Sequence, residues 1–401
     1  MQIKGSRAFF IYLTGQGISN LGDSIRFIAV TILIFKLTGS GVTAALGIAL
    51  STLPSILASP FAGVLGDKTD ERWVLVLVDF VRFLTVPMFL YADNIVQVYL
   101  LLIILSLFDV FYGPSRRKFI LGMTGKKGAL KANSLLTGVS GAAYLTGPLA
   151  AGFLTDSYGP APAILIASLC CFISCLVTLF AGVTYGKEVK AFSRHRVIDT
   201  VRNNLMAELR EGLRYCLSTT TVRTLLVIGL VTGFCTISVN LAFYPYAFDV
   251  LKVSAKGWSL MITIYYGTNL VAMLLIKYLD RLIRGREGRV FYTGLIIVSI
   301  IWAIYAFAAN FTNVLMLQFM EGSIIAVCGI LLVSRFQVIT DRRFMARVSG
   351  MNDIFSSGGK LAGMGCAIVL ASNFSFGAIF VFNSAILSLF AFAGLISSKW
   401  S

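Results

Sequence analysis

Residues 63–73 read Gly-Val-Leu-Gly-Asp-Lys-Thr-Asp-Glu-Arg-Trp, a short polar turn between two apolar runs, 41–66 and 73–92. Crossing the hydrocarbon of a bilayer takes about 20 mostly apolar residues, so each run is long enough to span. A second stretch of similar make-up, Lys277-Tyr-Leu-Asp-Arg-Leu-Ile-Arg-Gly-Arg-Glu-Gly-Arg289, separates the runs 258–280 and 290–309. Its Asp280, with Arg281 and Arg286, falls 213 residues after Asp67 with Arg72. Another phrase returns at nearly the same interval. Gly147-Pro148-Leu149-Ala150 precedes Gly359-Lys360-Leu361-Ala362 by 212 residues. Two landmarks that agree to one residue make the chain a tandem repeat running in one direction.

Extending this reading gives twelve spans. The first six are 8–36, 41–66, 73–92, 96–113, 132–154 and 160–185. The second six are 222–248, 258–280, 290–309, 313–334, 349–372 and 376–397. The expected fold is therefore an all-α membrane protein of twelve transmembrane helices in two six-helix parallel repeats. Its parts are an N-terminal bundle, 1–185, a cytoplasmic linker, 186–221, and a C-terminal bundle, 222–401. Within the linker, Val201, Leu205, Leu209 and Leu213 recur at helical spacing among arginines, which predicts a basic amphipathic helix on the inner membrane surface. His195, the single histidine, falls there too and is read as a solvated residue.

Composition agrees with a membrane class. Only 13% of residues are charged, about half the share of a soluble protein. The formal net charge of +16 could suggest nucleic acid, but the placement of the charges argues against it. With the N-terminus in the cytoplasm, 28 of the 34 Lys and Arg lie in inner segments. Outer segments hold only Lys36, Lys252 and Lys256, and Arg26, Arg82 and Lys360 fall inside spans. This is the positive-inside asymmetry. It places both termini in the cytoplasm and the basic excess against membrane lipids, with no nucleic acid partner. The seven cysteines form no framework, since none lies in an outer loop where oxidation could pair it. No metal site, cofactor motif or catalytic motif is present, so an enzyme is not expected.

Several phrases carry a family resemblance. Gly63-Val64-Leu65-Gly66-Asp67-Lys68 with Arg72 resembles the loop signature between spans two and three of the major facilitator superfamily. Gly147-Pro148 with Ala151-Gly152 is similar to its antiporter-type motif in span five. Leu21-Gly22-Asp23, Leu37-Thr38-Gly39-Ser40, Tyr112-Gly113-Pro114, Arg210–Tyr215 and Ala346-Arg347-Val348 resemble the branch of macrolide-efflux proteins and the enterobactin exporter. The Leu-Gly-Asp pattern and Lys131-Ala132-Asn133 also resemble phrases of lysophospholipid transporters, a second family likeness. The resemblance implies a multi-pass protein of a bacterial cell membrane. It further implies that spans 1, 4, 7 and 10 line a central cavity, that 2, 5, 8 and 11 meet between the halves, and that 3, 6, 9 and 12 face outward.

An ionisable group at bilayer depth costs roughly 2.5–3.5 kcal/mol or more and needs a partner or a cavity. On inner spans these groups are Asp23, Arg26, Asp109, Glu321, Asp353 and Lys360. Asp79 and Arg82, on an outward-facing span, are exceptions. Asp23 and Arg26 stand at i, i+3 and can meet directly. Asp23 and Glu321 are candidate proton carriers, Glu321 because leaving water penalises its charge, with a hydrogen bond to a neighbouring helix as its alternative, and Arg26 and Lys360 are candidate anion contacts. Lys360 stands where the repeat has Pro148, and is expected to face the cavity and hold an anionic group or Glu321. Asp353, two turns below it, is near the inner surface. The substrate and proton pathway is thus Asp23, Arg26, Glu321, Asp353 and Lys360. The resemblance implies a cytoplasmic gate at Gly63, Asp67 and Arg72, which Asp109, Arg116 and Arg347 extend. Gly147-Pro148 interrupts the helical hydrogen-bond ladder and is expected to bend span five.

The functional expectation is secondary active transport by alternating access. The chain would export an amphipathic small molecule such as a drug, siderophore or secondary metabolite, as a monomer, with a proton gradient and no cofactor. Movement of a lysophospholipid or related lipid is the alternative. A transport-dead sensor or a membrane-embedded enzyme is a remote one.

Overall fold

The computed structural model describes residues 6–68, 70–190, 218–283, 285–308, 310–339 and 345–397. Among them there is no strand and there are eleven α-helices. In chain order these are α1 (Ser6–Thr38), α2 (Gly41–Lys68), α3 (Glu71–Thr85), α4 (Ile95–Tyr158), α5 (Pro160–Lys190) and α6 (Thr220–Pro245). They continue as α7 (Ala255–Ile283), α8 (Glu287–Tyr305), α9 (Phe311–Ile339), α10 (Met345–Asn373) and α11 (Phe376–Ser397). Ten described stretches are long and apolar enough to cross a membrane, and Gly41–Pro54 is a shorter apolar one. The linker helix and His195 lie outside the described residues.

Helix α4 accounts for the difference between eleven helices and twelve spans. It runs unbroken for 64 residues, with Pro114 and Pro148 inside it, so it joins the expected fourth and fifth spans. A straight path would separate Tyr112 from Ser140 by about 42 Å. Yet Tyr112 donates to Gln16 at 3.3 Å, and Ser140 accepts from Asn20 at 2.8 Å. Gln16 and Asn20 are one helical turn apart. The helical path therefore doubles back between Tyr112 and Ser140, and the first arm holds the apolar stretch Ile95–Thr124. The polar stretch Arg116–Lys131, which separates the expected fourth and fifth spans, is helical.

The chain divides into two compact units. The first comprises Met1–His195 with Lys252–Tyr266, and the second Arg196–Leu251 with Gly267–Ser401. In the first, α1 is the central post, packed against α4 and α5. Small residues allow the close approach, as membrane interfaces require. The face of Gly22 lies on Cys170 and the carbonyl of Ala167, and that of Gly147 on Ser24 and the carbonyl of Leu21.

The second unit repeats this contact. Helices α6 and α10 are its main pair, and Gly359 lies on the carbonyl of Leu230. Gly147 and Gly359 are the landmarks read from the sequence, and both prove to be the point where the fifth span of a repeat touches its first. Two turns earlier on the fifth span of each repeat, Ser140 meets Asn20 in one unit and Asn352 meets Gly229 in the other. The large and the small residue have exchanged helices while the contact is kept.

Candidate functional site

The first unit buries an ion cluster at mid-span. Its hub is Arg82 of α3. The guanidinium Nη1 lies 3.3 Å from Asp23 Oδ2, Asp79 Oδ1 and Ser19 Oγ, and Nε donates to Asp109 Oδ1 at 2.8 Å. Its carbon stacks 4.6 Å from the centre of the Tyr112 ring. Arg82 thus ties α1, α3 and α4 together, and Asp79 reaches α5 through Ser174 Oγ, 2.7 Å away. On α1, Arg26 Nη2 donates to Asp23 Oδ1 at 3.2 Å, as the i, i+3 spacing predicts. The Nε of Arg26 is buried without a partner.

This geometry moves the emphasis away from the sequence-based expectation. Asp79 and Arg82, set aside as exceptions on an outward-facing span, are both buried and form the centre of the cluster. Burying an unpaired charge is far costlier than burying a bonded one, so the charged face of α3 turns inward toward α1, α4 and α5. Asp109, expected to extend the gate around Arg72, is held by Arg82 instead. The spacing carried a signal: Asp79 and Arg82 stand at i, i+3 in an apolar span. Gln16, Asn20 and Asp23 make a polar stripe down α1, along which Tyr12 and Tyr112 donate to Gln16 and Gln16 to Asn20.

At the start of α3, Arg72 Nη1 donates to the Gly182 carbonyl of α5 at 3.0 Å. A side chain at Gly182 would overlap the Arg72 stem. Glu71 pairs with Lys118 at 3.4 Å, and Arg116 is half-buried. Gly63 lies in α2, and the side chains of Asp67 and Arg347 lie outside the described residues.

In the second unit, Glu321 is buried, and both its oxygens are taken by neighbours on α8. Trp302 Nε1 donates at 2.7 Å and the Tyr305 hydroxyl at 2.8 Å. The expected pairing with Lys360 is therefore replaced by the hydrogen-bonded alternative. Lys360 and Asp353 are exposed on α10, and among the described residues neither makes an ion pair. The second unit also holds a cavity of about 150 Å³, walled by Thr232, Thr236, Phe291, Trp302, Cys328 and Leu387. It is smaller than the roughly 300–1,000 Å³ of a drug-sized site. Among the described residues no cluster of His, Cys, Asp or Glu could hold a metal ion.

The family model of the Major Facilitator Superfamily matches residues 12–360. The multidrug resistance protein MdtG of Proteus mirabilis is similar, at 25% identity over 94% of this chain and 91% of its own length. An uncharacterised transporter of the same type, YfiS of Bacillus subtilis, is 24% identical over 53% of this chain, and that match spans half of YfiS. Among solved structures, an autoinhibited peptide transporter of the POT family superposes with a TM-score of 0.73. The identity is 13%, over 98% of this chain and 97% of that one.

Proposed function

Because this chain belongs to the major facilitator superfamily, we propose that it is a proton-coupled exporter of an amphipathic small molecule, working by alternating access in a bacterial cell membrane. The observation that carries this reading is the formal charge of the buried cluster. Three carboxylates, Asp23, Asp79 and Asp109, face two guanidiniums, Arg26 and Arg82, which leaves one negative charge uncompensated. At bilayer depth such a charge is costly, and either one proton or one cationic group of a solute removes it. Two ligands that neutralise the same charge exclude one another, and mutual exclusion is what exchange of a solute against a proton requires. The multidrug relatives support a broad amphipathic substrate class. The transporter would act as a monomer among membrane lipids, using the proton gradient and no cofactor.

The test uses purified protein in liposomes that enclose a pH-sensitive dye. Addition of ethidium as the solute probe should give saturable solute movement with a matching proton movement in the opposite direction. Solute movement that leaves the internal pH unchanged would overturn the coupling. Saturable movement of lysophosphatidylcholine with none of ethidium would overturn the substrate class in favour of a lipid.

A further inference from the structure

The cavity of the second unit stands where the first unit keeps its ion cluster. Counting back 213 residues, the interval between Asp67 and Asp280, carries five of its wall residues onto members of that cluster. Thr232 falls on Ser19, Thr236 on Asp23, Leu295 on Arg82, Ile325 on Tyr112 and Leu387 on Ser174. Both spaces are therefore enclosed by the first, third, fourth and sixth spans of a repeat. In the first unit the Arg82 side chain and its partners fill the space. In the second a leucine replaces the arginine, an isoleucine replaces the tyrosine, and Gly329 stands in the place of Arg116. About 150 Å³ is left open.

The polar atoms of the wall are engaged by protein partners. The Thr232 hydroxyl donates to the Ile228 carbonyl at 2.7 Å, Cys328 Sγ to the Phe291 carbonyl at 3.7 Å, and Trp302 Nε1 to Glu321 at 2.7 Å. A buried water needs about two to four polar partners, and these walls offer it few. Nor is the space slack between loosely packed helices. A Cβ at Gly294 of α8 would stand 2.6 Å from Cys328 Sγ on α9, so these helices touch closely beside it. A Cβ at Gly329, by contrast, would meet no atom within 4 Å. Thr236 and Gly329 are exposed, whereas Phe291, Leu295, Trp302 and Leu387 are buried. The recess thus opens between α6 and α9 and closes against α8 and α11.

We propose that this recess holds one aromatic ring of the solute, with the polar or cationic remainder outside the mouth beside Thr236. This rests on the exporter reading above and names the part of the solute that the second unit grips. The size fits, since an apolar cavity of about 150 Å³ stays dry when empty and accepts a benzene ring. The walls fit too. Phe291 and Trp302 offer a ring the edge and offset contacts that an alkyl arm cannot make, and Trp302 is held in place by its bond to Glu321. The repeat has made a charged space in one unit and an apolar one in the other, the two kinds of surface that match an amphipathic solute.

The test is equilibrium binding of tetraphenylphosphonium, a cation with single-ring arms, to purified protein in lipid nanodiscs with no gradient present. Tetrabutylammonium, with alkyl arms, is the comparison, and protein-free nanodiscs give the background. Gly329→Leu fills the recess from a position where the added carbons meet no neighbour. It should weaken tetraphenylphosphonium binding at least tenfold while the melting temperature holds or rises, because side-chain contacts replace empty space. Unchanged binding in the folded variant overturns the proposal, as does a wild-type protein without saturable tetraphenylphosphonium binding. Tetrabutylammonium binding that is equally tight and falls equally in Gly329→Leu overturns the choice of a ring. Where Gly329→Leu does not fold, Leu332→Phe fills the same recess from α9, and unchanged binding there is the overturning result. The measurement is separable from the liposome experiment. Coupled ethidium transport with unchanged binding in the filled variant leaves the function standing and removes the recess. Ring binding lost in the filled variant, with no proton movement in liposomes, keeps the recess and removes the coupling.

Discussion

At the scale of single residues, Glu321 shows how a charge inside a membrane is managed by neutral neighbours. A carboxylate with no cation at hand can still be held by strong neutral donors, since a hydrogen bond to a charged group contributes about 1.5–3 kcal/mol. Trp302 and Tyr305 supply two of them. Glu321→Gln keeps the size and an acceptor oxygen for Trp302. We expect it to fold, to lose about 1 kcal/mol of stability and to retain proton-coupled transport. Thermal melting and liposome transport of the same preparation check this, and a folded variant that has lost coupling would restore Glu321 as a proton carrier. The identity of Glu321, like that of Lys360, was legible in the sequence as a charge inside an apolar run. The partners of Glu321 were not, because Trp302 and Glu321 are 19 positions apart on different helices.

At the scale of elements, the repeat is written in close helix contacts. Gly147 and Gly359 serve the same contact but against different atoms. A Cβ at Gly147 would meet the Ser24 hydroxyl, which can rotate at the cost of its bonds to the Leu21 and Ala143 carbonyls, and would stand 2.9 Å from the Ser24 Cβ. A Cβ at Gly359 would instead overlap the main-chain carbonyl of Leu230 outright. Backbone cannot move without shifting its helix, and overpacking costs about 1–3 kcal/mol. Gly359→Ala should therefore lower the melting temperature clearly more than Gly147→Ala. Equal shifts would show that α6 and α10 accommodate the methyl group by sliding. The doubled-back path of α4 belongs to this scale as well. Apolar periodicity marked its two crossings, but the helical turn between them is polar, and polarity alone does not separate a solvated helix from a loop.

At the scale of the whole molecule, the distribution of Lys and Arg predicts an orientation with both termini in the cytoplasm. In a cysteine-free background, Asp93→Cys between α3 and α4 should react with an impermeant thiol reagent on intact cells. Arg286→Cys between α7 and α8 should react only after the membrane is opened. The reverse pattern would invert the orientation. The sequence by itself determined the class, the number of crossings and the repeat. Hydrophobic length, charge asymmetry and a recurring interval are properties of the chain read in one dimension, and the bilayer acts on each span separately. The partners of the buried charges were decided only in the tertiary structure. On period alone α3 is an apolar span with two misplaced charges, Asp79 and Arg82. Packed against α1, α4 and α5, it carries the hub of the cluster, because a buried charge is satisfied by whatever donor or acceptor lies within about 3 Å, however distant along the chain.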